Sequence, residues 1–250
     1  MKFIGIIPSR YESSRFPGKP LVNIHGKSMI NRVYEQAKKA LDYVYVATDD
    51  EKIANEVERF GGQFVITSKH HESGTDRLAE AIEIIQKKLN TPFDVVVNIQ
   101  GDEPFIEPAQ IIELINCFSS DETEIATLIK KITNPEDIFN PNKPKVIFDY
   151  QMNAIYFSRS PIPYIRNKEK QQWFNSFDFY RHIGMYAYKT DILVKITRLE
   201  RSKLEIAESL EQNRWVENGY TIKVSKTDFD SIGIDTPEDL QKALSLRKKD

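Results

Sequence analysis

The feature that most constrains the fold is an alternation of short apolar runs with amphipathic stretches over the first part of the chain. Four runs rich in β-branched residues are predicted to be strands: residues 2–7, 43–47, 63–67 and 94–99. Between them, apolar residues recur at helical spacing in residues 29–41, 53–60 and 78–89. This alternation predicts an α/β fold, Rossmann-like, with a mostly parallel sheet and helices on both faces. Pro8 is expected to end the first strand, and Asp49 to cap the second helix.

The second half of the chain is less regular. Strands are predicted at residues 124–132, 145–148, 154–157, 183–188 and 221–224, and helices at residues 204–216 and 236–246. Residues 160–178 are polar and aromatic and contain Pro161 and Pro163, so we interpret them as a loop or arm between strands. We expect this half to cover the first sheet and not to form a separate domain.

Composition and charge exclude several classes of protein. The net charge of the 250 residues is −2, so the chain has no overall basic field for nucleic acid. Cys117 is the only cysteine, which excludes an intramolecular disulfide framework and favours a buried structural thiol. The first apolar run is too short for a signal sequence or a membrane span. We therefore expect a cytoplasmic protein with no membrane insertion.

The loop after the first strand concentrates positive charge and hydroxyl groups. Residues 8–21 read PSRYESSRFPGKPL and contain Arg10, Arg15 and Lys19. Polyphosphates need fixed cations, hydroxyl donors and closely approaching backbone amides, although a solvated basic surface loop is the alternative. The run is neither a Walker A loop nor a G-x-G-x-x-G fingerprint. The missing fingerprint disfavours a dinucleotide oxidoreductase.

Two acidic runs stand out in the sequence. Residues 100–104 read QGDEP directly after a buried strand, and residues 233–240 read GIDTPEDL. A carboxylate at a strand end, facing a phosphate loop, is a natural Mg²⁺ ligand, so Asp102 is a candidate metal ligand, with a turn residue as the alternative. On composition alone, Asp235 is interpreted as a turn residue. Thr236 and Asp239 also have the spacing of a capping box.

Other polar segments are candidates for reading a base or a sugar. Residues 73–77 read SGTDR at a predicted helix start, where they would bind an anion or a base edge, or only cap the helix. Residues 156–159, 181–186 and 204–212 bring cations and mixed hydrogen-bonding groups. Arg159 and His182 are equally compatible with structural positions at strand ends. Glu208 and Glu211 would share one helical face, which is typically solvated.

Taken together, these runs resemble the nucleotide-sugar pyrophosphorylases, and most closely the branch that activates 3-deoxy-manno-octulosonate (Kdo) with CTP. The first loop is similar to the family pattern PARxxSTRLPGKPL, with Ser9, Ser14 and Phe16 where the family usually has Ala, Thr and Leu. Asp76 stands where the family carries Glu. Residues 160–180 are the part of the chain that differs most from the family. The resemblance implies a nucleotide-diphospho-sugar transferase fold and the reaction CTP + Kdo → CMP-Kdo + diphosphate.

The resemblance also implies roles for individual residues. The catalytic residues that it implies are Arg10, Arg15, Lys19 and Asp102. The nucleotide-binding residues are Arg10, Ser13, Ser14, Arg15, Lys19, Ser73, Gly74 and Thr75. The sugar-binding residues are Arg77, Gln100, Arg159, His182, Tyr186, Glu211 and Gln212. A bound Mg²⁺ would be held by Asp102 and Asp235.

The implied organisation is one nucleotidyltransferase domain over residues 1–250. Residues 1–132 would mainly bind nucleotide, residues 133–225 would bind sugar and form a dimer arm, and residues 226–250 would return a metal ligand and a closing helix. The resemblance further implies a homodimer and a product used in lipopolysaccharide assembly. Two alternatives stay open: a cytidylyltransferase for 8-amino-Kdo or a sialic-acid-like sugar, and a non-catalytic nucleotide sensor on the same fold.

Overall fold

The computed structural model describes residues 1–12, 16–230 and 233–246. In chain order, the strands are β1 Phe3–Ser9, β2 Asn23–Ile24, β3 Lys27–Ser28, β4 Val44–Thr48, β5 Phe64–Ile66, β6 Val95–Asn98, β7 Ile125–Lys131, β8 Lys145–Phe148, β9 Ala154–Ser158, β10 Tyr180–Lys189 and β11 Ile222–Lys226. The α-helices are α1 Met29–Lys38, α2 Glu51–Arg59, α3 Gly74–Leu89, α4 Pro108–Asn116, α5 Thr190–Ile196, α6 Lys203–Glu208, α7 Gln212–Glu217 and α8 Pro237–Leu246. Within the described ranges, every helix is too short or too polar to cross a membrane.

The chain forms two compact units. The first unit comprises Met1–Ile112, Lys189–Thr197 and Ser231–Asp250, and the second comprises Glu113–Tyr188 and Arg198–Asp230. The C-terminal segment therefore belongs to the same unit as the first strands. The predicted division at residues 132 and 225 concerned binding roles and not compactness, so it stays a prediction.

The first unit contains a parallel sheet in the order β6-β1-β4-β5. All residues of β4 and β6 are buried, as expected for strands that helices cover on both faces. The predicted end of the first strand at Pro8 is wrong, since β1 continues to Ser9. The ladder with β6 stops at Ile6, and Pro8 pairs only with β4, opposite Ala47. Proline is tolerated at such a position because one side of the strand needs no donor.

Helix α2 begins one residue later than the sequence suggests. The Asp50 side chain accepts from the amides of Lys52 at 2.8 Å and Ile53 at 3.4 Å, so Asp50 is the N-cap. The prediction of Asp49 as the cap is wrong. Because Asp50 satisfies the first amides of the helix, the carboxylate of Asp49 remains available for another partner.

Helix α8 starts with the predicted capping box. The Asp239 amide donates to Thr236 Oγ1 at 3.2 Å, and the Thr236 amide donates to Asp239 Oδ2 at 3.1 Å. Ile234 and Ala243 lie on either side of this helix start in a buried cluster with Ile24, Met29 and Phe105. This apolar packing fixes the segment that carries Asp235 within the first unit.

The second unit is built on a mixed sheet. β7 pairs in parallel with β11 and antiparallel with β10, and β8 pairs antiparallel with β9 and β10. The register of β10 shifts between Ile183 and Tyr186, which marks a bulge. The predicted arm at residues 160–178 is anchored by Trp173, which lies in a buried apolar cluster with Ile132, Ile138 and Phe179.

The predicted single helix at residues 204–216 is wrong. It is broken into α6 and α7, with Ser209 in the left-handed region at φ 50°. The reason is tertiary: Arg159 Nε donates to the carbonyl of Glu208 at 2.6 Å, and Arg159 Nη2 donates to that of Ser209 at 3.2 Å. Arg159 thus satisfies carbonyls that the end of α6 leaves without amide partners. Glu208 and Glu211 therefore do not share one helical face.

Candidate active site

The centre of the first unit's polar surface is Lys19, which lies between two carboxylates. Its Nζ donates to Asp102 Oδ2 at 2.9 Å and to Asp235 Oδ1 at 3.0 Å. The Lys19 side chain is 13% exposed, whereas those of Asp102 and Asp235 are 32% and 46% exposed. The two predicted metal ligands and the predicted phosphate-binding lysine thus meet at one point, although they are far apart in the sequence.

Three backbone segments create this meeting point. Gly18 adopts a left-handed conformation at φ 71° and leads into the short 3-10 turn Lys19–Leu21, which glycine permits at little cost. A Cβ on Gly101 would lie 3.0 Å from the carbonyl oxygen of Pro8, so the loop after β6 passes close to the end of β1. The amide of Ile234 donates to the carbonyl of Asp102 at 2.9 Å. That bond ties the returning segment to the same loop.

The electrostatic surroundings keep Lys19 charged. Burial by itself would lower the pKa of the ammonium, but the charges and hydrogen bonds of Asp102 and Asp235 outweigh it, so the pKa is raised above its ordinary value. The lysine is therefore a fixed positive charge held by its neighbours. A cation in this position suits an anionic ligand such as a phosphate.

The residues present fit a magnesium ion. Asp102 and Asp235 already direct carboxylate oxygens at one cation, the ammonium of Lys19. Mg²⁺ characteristically takes one or two protein carboxylates together with phosphate oxygens. In the described part of the chain, no group of three or more His, Cys, Asp or Glu side chains is placed to hold a metal. Phosphate oxygens and water would thus have to complete the coordination.

A cavity of about 200 Å³ adjoins this centre. The residues that line it are Pro8, Ser9, Arg10, Glu12, Lys19, Pro20, Gln100, Gly101 and Asp102. The structure therefore brings together four predicted site residues: Arg10, Lys19, Gln100 and Asp102. The predicted residues Ser13, Ser14 and Arg15 lie outside the described residues. Ser9 and Glu12 were not predicted, although their place in the basic loop was a signal.

The segment 73–77 is placed beside the end of β1. The Asp76 amide donates to Ser73 Oγ at 3.1 Å, and the Ser73 amide donates to Asp76 Oδ2 at 3.2 Å, which is a complete capping box. Ser73 therefore caps the helix, as one of the two interpretations of this segment expects. A Cβ on Gly74 would lie 3.6 Å from the Pro8 ring, and Thr75 is buried. The predicted contact of Ser73, Gly74 and Thr75 with the nucleotide stays a prediction.

Arg77 is buried and has partners within the first unit. Its side chain is 0% exposed; Nη1 donates to Thr67 Oγ1 at 2.6 Å and Nη2 to Asp49 Oδ2 at 2.7 Å. A guanidinium without solvent-accessible surface reaches a sugar only if these contacts break, and the predicted sugar contact of Arg77 stays a prediction. Arg77 instead neutralises Asp49, the carboxylate that Asp50 left available by capping α2.

In the second unit, His182 and Tyr186 lie among aromatic rings. His182 Nε2 is 3.0 Å from Thr127 Oγ1, and its ring lies 5.1 Å from that of Phe157 and 5.3 Å from that of Tyr186. Burial, together with the charge of Arg181, lowers the pKa of His182 to about 3, so the imidazole is neutral at physiological pH. Burial raises the pKa of Tyr186 well above its ordinary value. Both groups therefore offer neutral hydrogen-bonding atoms.

The segment that follows Ser209 carries the predicted sugar-binding residues Glu211 and Gln212. Glu211 Oε1 accepts from Arg214 Nη2 at 3.1 Å, and the Glu211 side chain is 31% exposed. Gln212 is 5% exposed, and its Nε2 has no hydrogen-bond partner among the described residues. A buried amide without a partner is costly, which is consistent with a role in binding a ligand.

Arg159 and Glu208 form an internal network. Arg159 donates to the carbonyls of Glu208 and Ser209 and, through Nη1, to that of Pro141 at 2.9 Å. Glu208 accepts from the hydroxyls of Tyr156 at 2.9 Å and Ser158 at 2.6 Å. Sequence reasoning missed this role of Glu208 because it assumed a continuous, solvated helix face. A sugar contact of Arg159 stays a prediction.

Three comparisons relate the chain to known proteins. A family model described as Cytidylyltransferase matches residues 4–225. Proteins named 3-deoxy-manno-octulosonate cytidylyltransferase are similar to the chain: that of Parabacteroides distasonis is 57% identical over 98% of both chains, and that of Thermodesulfovibrio yellowstonii is 49% identical over 97% of both.

Solved structures give the same result. The structure of a CMP:2-keto-3-deoxy-manno-octonic acid synthetase complexed with CTP matches with a TM-score of 0.89 and 39% identity, over 98% of both chains. A cytidylyltransferase from Leptospira borgpetersenii matches with a TM-score of 0.61 and 17% identity, over 98% of this chain and 86% of its own. The second match shows a shared fold alone.

Proposed function

Because the chain belongs to the family of 3-deoxy-manno-octulosonate cytidylyltransferases, we propose that it catalyses CTP + Kdo → CMP-Kdo + diphosphate. The observation that carries this proposal is the convergence of Lys19 with Asp102 and Asp235 at one edge of a parallel sheet. A fixed cation and two carboxylates that could hold a metal ion suit the transfer of a nucleotidyl group, because negative charge develops on phosphate oxygens during the reaction.

The reaction exchanges one oxygen–phosphorus bond for another and releases a proton. The anomeric 2-hydroxyl of Kdo attacks the α-phosphorus of CTP, the bond between the α-phosphorus and the bridging oxygen breaks, and diphosphate leaves. The hydroxyl proton is released as the new oxygen–phosphorus bond forms. Such a transfer depends on positioning and on stabilisation of charge more than on covalent participation of the protein.

The first unit supplies the residues on the nucleotide side. Lys19 donates to phosphate oxygens of the leaving diphosphate, and Arg10, which lines the same cavity, acts near the α-phosphate. Asp102 and Asp235 would hold Mg²⁺, which would supply Lewis-acid stabilisation of negative charge when bound. Arg15, Ser13 and Ser14 are proposed to contact the triphosphate on the basis of resemblance.

The residues proposed to bind the sugar lie in the second unit. Kdo presents a carboxylate and several hydroxyls, and the neutral ring of His182, the amide of Gln212 and the carboxylate of Glu211 offer matching acceptors and donors. Tyr186 packs against the His182 ring and limits its movement. The enzyme is further proposed to act in the cytoplasm as a homodimer and to feed lipopolysaccharide assembly.

The decisive experiment is sugar-dependent release of diphosphate. The purified protein is mixed with CTP, Mg²⁺ and one of Kdo, 8-amino-Kdo or N-acetylneuraminate, with controls that lack sugar or contain EDTA. Release with Kdo that EDTA abolishes supports the proposal. Release with another sugar alone keeps the chemistry and overturns the substrate. Binding of CTP without release from any sugar identifies a nucleotide sensor instead.

A further inference from the structure

A buried ionic network lies directly behind Glu211. Arg214 is 8% exposed and Glu205 is 5% exposed. Arg214 Nε lies 3.0 Å from Glu205 Oε2, and Arg214 Nη2 lies 3.3 Å from Glu205 Oε1 and 3.1 Å from Glu211 Oε1. One guanidinium therefore joins a carboxylate in the interior to a carboxylate at the surface.

The network is immobilised at its inner end. The Glu205 amide donates to Ser202 Oγ at 3.2 Å, and the Ser202 amide donates to Glu205 Oε2 at 3.3 Å, as a capping box of α6. Arg214 Nη1 also donates to the carbonyl of Leu199 at 2.9 Å. Because these contacts use several edges of a planar guanidinium, its orientation is determined.

The outer end of the network is the accessible one. The Glu211 side chain is 31% exposed, against 9% for that of Arg214, so only Glu211 among the three can meet a ligand. Gln212, the next residue, carries a buried amide nitrogen without a partner among the described residues. Glu211 and Gln212 thus follow each other in the chain just after the left-handed Ser209.

We propose that Arg214, held by Glu205, is a positioning residue that orients the Glu211 carboxylate to accept hydrogen bonds from sugar hydroxyls. The inference rests on the proposed function, since it assigns Glu211 to the sugar. Its physical basis is preorganisation: a carboxylate already held in one orientation loses less conformational entropy when the sugar binds. A buried ion pair is weak evidence for stability by itself, and its extension to the partly exposed carboxylate of Glu211 favours a role in recognition.

The test separates sugar affinity from nucleotide affinity in Arg214→Met. We expect the KM for Kdo to rise about tenfold, in the range of coupling between contacting residues, while the KM for CTP stays within about twofold. Arg214→Lys, which keeps the charge without the fork, is expected to recover part of the loss. The matched control is Arg201→Met. Arg201 lies 3.5 Å from Glu205 but is 59% exposed, and we expect wild-type constants.

A double-mutant cycle with Glu211→Gln identifies the route of the effect. If Arg214 acts through Glu211, Arg214→Met adds little to the loss in kcat/KM for Kdo already caused by Glu211→Gln. Independent, additive losses would overturn the inference, as would an equal rise in the KM for CTP. Should Arg214→Met fail to fold, the same cycle is run with Glu205→Gln, which keeps the shape of the side chain, and the same criteria decide.

The proposed function and the inference fail in different ways. If the wild-type protein releases no diphosphate with Kdo, the proposed function is overturned and the inference falls with it. If the wild type is active but Glu211→Gln leaves the KM for Kdo unchanged, the function stands and the inference alone is overturned.

Discussion

The ammonium of Lys19 donates to the carboxylate of Asp102 at 2.9 Å, across a separation of 83 residues in the chain. The lysine follows β1 and the aspartate follows β6, and these two strands are neighbours in a parallel sheet. The carboxyl ends of parallel strands lie at one edge. This contact is thus a direct consequence of the order of the strands.

Replacing Lys19 by alanine is expected to lower turnover by about 10²–10³, as for other groups that stabilise charge in the transition state. The measurement is Kdo-dependent release of diphosphate at saturating substrates. The matched control is Lys27→Ala, since Lys27 is exposed and pairs with Glu35; wild-type turnover is expected for it. Wild-type turnover in Lys19→Ala would contradict the assigned role.

Asp102→Asn and Asp235→Asn are each expected to raise the Mg²⁺ concentration needed for half-maximal activity by about tenfold or more. An amide oxygen is a weaker ligand for this ion than a carboxylate. Titration of Mg²⁺ at fixed CTP and Kdo measures the shift. Asp191→Asn is the control, because Asp191 is exposed and pairs only with Lys195 among the ion pairs of the described residues. An unchanged Mg²⁺ requirement in both variants would remove these aspartates from the metal site.

Arg77→Met is expected to destabilise the fold by about 3–5 kcal/mol, because it leaves the Asp49 carboxylate without its buried partner. Denaturant unfolding measures the loss. Arg59→Met, which removes an exposed arginine paired with Glu56, is expected to cost at most about 0.5 kcal/mol. A stable Arg77→Met protein with a raised KM for Kdo would restore the sugar contact that the burial of Arg77 argues against.

The neutral His182 predicts a pH dependence of stability. Its pKa is about 3 in the native protein against 6.5 for an ordinary histidine, so the unfolded chain binds a proton that the native chain does not. The contribution of His182 to stability is therefore complete above about pH 6.5 and declines as the pH falls towards 3. The expected loss from pH 7 to pH 5 is about 2 kcal/mol.

His182→Gln is expected to remove this part of the pH dependence, because glutamine does not titrate. Denaturant unfolding between pH 4 and pH 7 compares the slopes, for which a weaker dependence in the variant is expected. His70→Gln, at an exposed histidine, is the matched control for the substitution itself. Identical slopes in all three proteins would show that His182 is protonated in the native state at mildly acidic pH.

Much of the site followed from local signals. The basic loop after β1, the acidic run after β6 and the capping box of Thr236 all lie where strand and helix patterns placed them. Family resemblance supplied the pairing of Asp102 with Asp235 as metal ligands, and the structure brings the two within reach of one ammonium. Their affinity for metal stays a prediction.

The sequence by itself determined the alternation of strands and helices, and with it the edge of the parallel sheet at which the charged loops meet, because both follow from the spacing of apolar residues along the chain. Only the tertiary structure decided the role of Arg77, the break at Ser209 and the network behind Glu211. In each of these cases, an arginine side chain donates hydrogen bonds to a carbonyl or carboxylate oxygen. Local sequence patterns predict instead that this oxygen lies in a continuous helix or in solvent. Such a choice depends on burial and on partners from distant segments, which no local window contains.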